Sequence, residues 1–385
     1  MHTPPASMWP RRQLLQAVGA GCLASLSPWS HAAKDDEIVI GQSVPLSGVL
    51  ADTGRDMAMG GKICFDAINS QGGVQGRKIR HVVLDDGYDV ERTLANTHEL
   101  LQKHEALALF GFAGTGNIQR LLTDKVLANA GVALVGPYTG GEPLRTPYNP
   151  WIFHIRASYA EETSAMVKQL VFSGITNIGV FYQDDAFGQS GLQGVVSALA
   201  AANLDLTIAA SFPKNTELVD SAVQAIAAKS PQAVILIATN RPVAAFLQKY
   251  RALSKSALFF NISVVNPKAI VQFAGADARG LSIAQVVPDP NGTKPIAQSY
   301  RADLAKFGAG AQVSSSSFEE YVAAKVLIEG LRRAKTLTRA GVIAGLESLE
   351  RLDLGGHVIG FGPNNRLGSH FVEMASLRSD GRLIR

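Results

Sequence analysis

The amino-acid sequence predicts an α/β protein made of two doubly wound, Rossmann-like lobes joined by a three-stranded hinge. Three observations carry this expectation. The chain has 385 residues, 46% of them hydrophobic, which exceeds the roughly 250–300 residues at which a single core stops growing. From Glu37 onward short β-rich apolar runs alternate with longer helical patterns, the mark of parallel sheets covered by helices. That alternation comes in two successive series, one for each lobe.

The N-terminal 33 residues stand apart. Arg11-Arg12 precede an apolar stretch from Leu14 to Leu26, and Ser30-His31-Ala32 supplies small residues at a cleavage spacing, so residues 1–33 read as a signal peptide. The pair of arginines fits either a twin-arginine or a Sec route. A membrane anchor is the weaker reading, because about 20 apolar residues are needed to span a bilayer and Gly19, Gly21, Ser25, Ser27 and Pro28 interrupt this one. Cys22 follows Gly19-Ala20-Gly21 and could be read as a lipid-attachment site, but an aliphatic residue three positions earlier is missing. Cys64 is the one cysteine left after cleavage, which excludes an intramolecular disulfide. It shares a helical face with Met57, Gly60, Gly61, Ala67 and Ile68 and reads as a small core residue.

In the first series the strands are Ile38–Ile40, Val82–Leu84, Leu107–Phe112 and Val132–Val135, with helices over Arg55–Asn69, Val90–Lys103 and Asn117–Ala130. The second series has strands Ile178–Phe181, Leu206–Phe212, Val234–Ile237 and Leu258–Phe260, and helices near Ala160–Phe172, Gly191–Ala202, Glu217–Ala228 and Pro242–Leu253. The first crossing between lobes is expected in Trp151–Ala157. After a strand over Leu281–Val287, the helices Pro295–Phe307 and Phe318–Ala334 cannot bury their apolar faces alone and must return to the first lobe; Ser314–Ser317 is a capping lead-in. In the tail, Val358–Phe361, a Gly362-Pro363-Asn364-Asn365 turn and Phe371–Leu377 read as a hairpin rejoining the second lobe. The expected lobes are 37–157 plus 288–355 and 158–287 plus 356–385. Three crossings make a hinge with a cleft above it, and such clefts at the carboxyl ends of parallel strands hold small ligands.

Other function classes are disfavoured. The 36 basic and 32 acidic residues nearly balance, against the clustered basic stripe that nucleic acid requires. Gly114-Thr115-Gly116-Asn117-Ile118-Gln119 lacks the last glycine of a dinucleotide loop, and Gly188-Gln189-Ser190-Gly191 lacks the spacing of a nucleophile elbow. His98 and His104 are six apart on a helix, on different faces, which speaks against a metal site. No cofactor is expected. What remains is a set of polar loops at strand ends. Foremost is Ala113-Gly114-Thr115-Gly116-Asn117, whose glycines allow close approach and whose following helix presents free N–H groups to a carboxylate.

Five segments in order resemble the Leu/Ile/Val-binding proteins of ABC transporters, within the type I periplasmic binding protein superfamily. They are Gly41-Gln42-Ser43-Val44-Pro45-Leu46-Ser47-Gly48; Asn69-Ser70-Gln71-Gly72-Gly73-Val74-Gln75-Gly76-Arg77-Lys78-Ile79 ahead of Asp85-Asp86; Gly136-Pro137-Tyr138-Thr139-Gly140; Asp185-Ala186-Phe187-Gly188; and Glu319-Glu320-Tyr321-Val322-Ala323-Ala324. The resemblance covers nearly the whole chain after the signal. It implies the type I fold, a periplasmic monomer without enzymatic activity, a small-molecule ligand and ABC permease subunits as partners. A ligand-sensing subunit of a receptor, or an amide-responsive regulator, with the same fold is the alternative. By the same resemblance Thr115 meets the ligand carboxylate, Tyr138, Thr139 and Gly140 form a second loop, and Phe187 closes from the other lobe. Thr53, Tyr88, Asn240 and Tyr321 fall at further cleft positions. One position departs: where amino-acid binders place a glutamate on the ligand ammonium, this chain has Ser263. The ligand implied is a small branched-chain amino acid-like, carboxylate or amide compound; because an ammonium without a carboxylate partner is costly to bury, the expectation is one lacking an α-amino group, unless Glu161, Glu320 or Asp86 supplies the missing charge.

Overall fold

The computed structural model describes residues 1–2, 37–254 and 256–384. The expected signal segment, with Arg11, Arg12 and Cys22, falls outside the described residues. The first five strands are β1 (Glu37–Val44), β2 (Lys78–Asp85), β3 (Ala108–Phe110), β4 (Leu134–Val135) and β5 (Ile152–Phe153). They form one parallel sheet in the order β2-β1-β3-β4-β5. Helices α1 (Ala51–Ser70), α2 (Val90–Gln102), α3 (Thr115–Thr123) and α4 (Val126–Ala130) connect them. The single helix expected over Asn117–Ala130 is broken in two at Lys125, which adopts the left-handed conformation with φ 54°.

The chain then leaves β5 and builds a second sheet. Its helices are α5 (Tyr159–Phe172), α6 (Ala186–Ala201), α7 (Asp220–Ala227), α8 (Asn240–Leu253) and α9 (Pro267–Ala274). Between them run β6 (Ile178–Asp184), β7 (Ile208–Pro213), β8 (Ala233–Ile237), β9 (Leu258–Asn261) and β10 (Ser282–Gln285). After β10 come α10 (Pro295–Phe307), α11 (Ser315–Arg333), α12 (Arg339–Glu347), β11 (Leu352–Asp353), β12 (Val358–Ile359), β13 (Glu373–Leu377) and β14 (Leu383–Ile384). The second sheet runs β14-β13-β10-β9-β8-β6-β7, parallel except for the antiparallel pairs at β13. The chain therefore passes between the sheets three times, after β5, after β10 and ahead of β13.

As expected, α10 and α11 return to the first lobe. Tyr300, Leu304, Phe318 and Val322 join Ile63, Phe65 and Phe110 in one core, and Ser314 caps α11 by accepting from Ser317 N at 3.1 Å. The tail differs from expectation. Val358–Ile359 pairs with Leu352–Asp353, and Glu373–Leu377 pairs with β10 and β14, so the two halves do not form a hairpin with each other. Residues 356–368, grouped above with the second lobe, are carried on the first sheet instead. His154 N donates to Arg366 O at 2.9 Å, and the Phe361 ring meets that of Phe153 edge-on at 5.2 Å. Burying Ile359 and Phe361 in the first core is what holds the segment there. Among the described residues no helix is long and apolar enough to cross a membrane, and no group of three potential metal ligands gathers.

Candidate functional site

Both sheets turn the carboxyl ends of their central strands toward one cleft, and the lobes are closed over it. Asn240 Nδ2 donates to Thr53 Oγ1 at 3.2 Å, Asn266 Nδ2 to Asp56 Oδ2 at 2.7 Å, and Glu142 N to Ser190 Oγ at 3.1 Å. Gln183 Nε2 also donates across the cleft to the buried Tyr88 hydroxyl at 3.3 Å. Lys214 Nζ reaches across to Asn117 Oδ1 at 3.1 Å and stands 4.1 Å from the centre of the Tyr88 ring. Burial lowers the Lys214 pKa, with Asp185 opposing that shift.

Between the lobes lies a cavity whose walls are largely aromatic: Tyr88 and Tyr138 from the first lobe, Tyr159 and Phe187 from the second. Leu50, Ala113 and Val264 add apolar surface. Tyr159 and Phe187 meet edge to face at 5.5 Å, a favoured arrangement for paired rings. Phe187 is held by Asp185, whose Oδ1 accepts from the N–H groups of Phe187 and Gly188 at the start of α6.

Two helix N-termini end at the same cavity, one from each lobe. On the first side Gly114 is the N-cap of α3 with φ 92°. A Cβ there would fall 2.7 Å from Asn117 Oδ1 and 2.8 Å from the Tyr88 ring, so only glycine fits this turn. Thr115 follows as the first helical residue, its hydroxyl 2.7 Å from that of Thr139. Thr139 Oγ1 also accepts from Gly141 N at 3.1 Å. Gly140 O accepts from Tyr159 N at 2.8 Å, and a Cβ on Gly140 would lie 2.7 Å from the Tyr159 ring. On the second side Thr239 is the N-cap of α8. It lines the cavity, makes no capping bond, and its buried Oγ1 has no hydrogen-bond partner. Free N–H groups and the positive end of the helix dipole favour an anion at such positions.

Of the residues expected from sequence, Tyr88, Tyr138 and Phe187 line the cavity. Thr115, Thr139 and Gly140 stand directly behind its wall, Thr53 and Asn240 bridge the cleft, and Ser263 adjoins the lining residue Val264. Two others are elsewhere. Glu161 completes a capping box with Ser158, accepting from Ser158 N at 2.7 Å, and its other oxygen lies 2.5 Å from His370 Nδ1. Tyr321 is packed in the first core against Tyr300, its hydroxyl donating to Asp303 at 2.6 Å. At 100° per residue, Glu319 faces the cleft and Tyr321 faces away.

Sequence reasoning did not single out Tyr159, Thr239 or Arg156. The capping box Ser158-x-x-Glu161 marks the helix start next to which Tyr159 lies, and Thr239-Asn240 ends an apolar strand, so both carried a signal. Arg156 is fully buried where the chain leaves the first lobe. Its Nη2 donates to Ser263 Oγ and lies 3.4 Å from Glu162 Oε1; Nη1 lies 3.3 Å from Glu319 Oε1; and the guanidinium stands 5.0 Å from the centre of the Tyr138 ring. Burial by itself would lower the Arg156 pKa, but Glu319 and Glu162 hold it above the usual value. Burial pushes Glu319 up to about 7 against the pull of Arg156.

A pair of α/β lobes closed over an aromatic cavity, with a helix N-terminus from each, defines a two-lobed receptor for small molecules. The chain belongs to the periplasmic binding protein family, whose pattern matches residues 37–382, and its fold is the type I fold of that class. It is 37% identical to a substrate-binding periplasmic protein from Ralstonia solanacearum, with TM-score 0.86 over 90% of this chain and 99% of that one. An extracellular ligand-binding receptor from Verminephrobacter eiseniae shares 28% identity, with TM-score 0.85 over 91% of this chain and 100% of the other. Leu/Ile/Val-binding protein homolog 7 of Brucella melitensis is 26% identical over 97% of this chain and 96% of its own length.

Proposed function

We propose that this protein is a non-catalytic, periplasmic, monomeric receptor that captures a small carboxylate or amide lacking an α-amino group and delivers it to the permease subunits of an ABC transporter. The observation that carries the ligand class is the convergence of the α3 and α8 N-termini, from opposite lobes, on one cavity walled by four aromatic rings. Each N-terminus contributes ~0.3–1 kcal/mol toward an anion when exposed and up to ~2 when partly buried. The free Thr239 hydroxyl adds a donor, and the rings take an aromatic or aliphatic body.

The absence of an ammonium site is supported from the other direction. Ser263 is tied to Glu162, its N–H 2.7 Å from Oε2 and its hydroxyl 3.0 Å from Oε1, with Arg156 against both. A guanidinium, and not a spare carboxylate, thus backs that wall. Glu161 is occupied by its cap and His370. Asp86 accepts from Ser43 Oγ at 2.8 Å and from Tyr88 N at 2.9 Å, and the Glu320 carboxyl is buried beside Gly111 of the first lobe. None of the three lines the cavity. Closure around the ligand would be held by contacts made only when the lobes meet. A thermal-shift panel of amino acids, aromatic acids, short aliphatic acids, amides and urea tests the reading, because a ligand of the folded state alone raises the melting temperature. Aromatic or branched aliphatic acids should give the large shifts; shifts confined to amino acids would contradict it.

A further inference from the structure

Arg156 stands where the polypeptide passes from the first lobe to the second, and its partners come from both. Glu162 on α5 and Ser263 after β9 belong to the second lobe and are bonded to each other through two contacts, at 2.7 and 3.0 Å. They form a fixed seat for the Nη2 side of the guanidinium. Glu319 on α11 and the ring of Tyr138 belong to the first lobe and meet the guanidinium from the opposite side. Tyr138 is anchored there by its hydroxyl, 2.9 Å from Ser316 Oγ, and Ser316 precedes Glu319 by one helical turn.

The two sides are not equivalent. Nη2 makes a hydrogen bond, whereas Nη1 faces Glu319 at 3.3 Å without hydrogen-bond alignment and Nε has no acceptor at all. The seat in the second lobe is therefore the tight one, and the contact with the first lobe is a charge–charge and cation–π contact that a rigid rotation of the lobes can make and break. Its strength comes from burial: Arg156 and Glu162 are wholly inaccessible and Glu319 nearly so, and opposite charges attract far more strongly there than in water.

We propose that Arg156 is a positioning residue for ligand capture: seated on Glu162 and Ser263, it takes up Glu319 and the face of Tyr138 when the lobes close, and so biases the protein toward the closed form. Because Tyr138 also lines the cavity, a ligand resting on that ring braces the face against which Arg156 docks. The inference goes beyond the capture reading and rests on its two-lobe closure, but its test uses no ligand.

Spin labels on cysteines introduced at Gln102 of α2 and Gln224 of α7, both exposed, report the separation of the lobes by pulsed electron resonance. The native Cys64 is buried and stays unlabelled. The ligand-free protein should show a short-distance closed population. Glu319→Gln, which keeps the side-chain volume and removes the charge, should lower the closed-to-open ratio tenfold or more while the circular-dichroism melt shows the lobes still folded. Phe172→Ala, a fully exposed position, should leave the ratio unchanged. An identical distance distribution in the wild type and Glu319→Gln would overturn the proposal, as would a wild type with no closed population.

Discussion

Asn240 Nδ2 donates to Thr53 Oγ1 at 3.2 Å, and both side chains are buried although they sit on helices of different lobes. Asn240 Oδ1 meanwhile accepts from Asn266 N at 2.7 Å, and Asn266 itself reaches Asp56 of the first lobe. One side chain thus ties the second lobe's own loop to the first lobe's first helix. Such a bond exists only with the cleft shut, so its free energy belongs to closure.

Thr53→Ala and Asn240→Ala should each weaken ligand binding about fivefold, corresponding to the ~1 kcal/mol of a typical net hydrogen bond. A double-mutant cycle read by calorimetry should show the two losses overlapping. Simple additivity would mean that the bond is absent from the bound form.

If the Thr115 hydroxyl, now on Thr139, donates to the ligand carboxylate, Thr115→Ala should weaken binding tenfold or more without unfolding the protein, since a charge-assisted hydrogen bond is worth ~1.5–3 kcal/mol. Thr115→Ser keeps the hydroxyl 2.7 Å from Thr139 and should retain most of the affinity. Unchanged affinity in the alanine variant would reduce this residue to a helix start.

Thr239→Val is isosteric and removes a buried hydroxyl that has no partner in the protein. The ligand-free melting temperature should hold or rise, because no hydrogen bond is lost, while affinity falls roughly tenfold. Equal affinity in a binding titration would show that ligands do not use Oγ1.

Glu320 gives a pH dependence of known sign. Burial, with Glu319 adding to it, raises its pKa well above 4.5, and neither carboxyl oxygen has a hydrogen-bond partner. A carboxyl whose folded pKa exceeds its unfolded one contributes stability that is full below the unfolded value and is lost as pH rises through the folded one. Glu320→Gln should therefore raise the melting temperature at about pH 8 by a few degrees, because the neutral amide carries no charge to desolvate there, and change little at about pH 4, where the carboxyl is already neutral. Scanning calorimetry at both pH values checks this. A drop at pH 8 would contradict it.

Much of the architecture was legible because βα alternation is a local signal. Every expected strand of the two series corresponds to a strand, and α10 and α11 returned as their unburied apolar faces required. What escaped was either too short or too distant. Ile152–Phe153 is a two-residue strand without a period, so it merged with the expected crossing. The tail departs from the expected hairpin because Glu373–Leu377 takes its partners from β10, far back in the chain, and no turn signal encodes that pairing. In the site, glycine-rich loops at strand ends pointed to Thr115 and to Tyr138–Gly140. Arg156 left no such mark: Ser263 is 107 residues away and Glu319 farther still. Glu161 was singled out, yet its neighbour Glu162 points inward, a 100° turn that helical periodicity alone does not orient.

Calorimetric titration with matched pairs decides whether the cleft takes a carboxylate or amide without an ammonium group. Leucine, valine and phenylalanine are compared with 4-methylpentanoate, 3-methylbutanoate and 3-phenylpropanoate, which differ from them only by the α-amino group. At least one of the three acids should bind with micromolar affinity, ~8 kcal/mol, and its amino-acid partner not at all. Micromolar binding of any of the amino acids, with none by its deaminated counterpart, would contradict it.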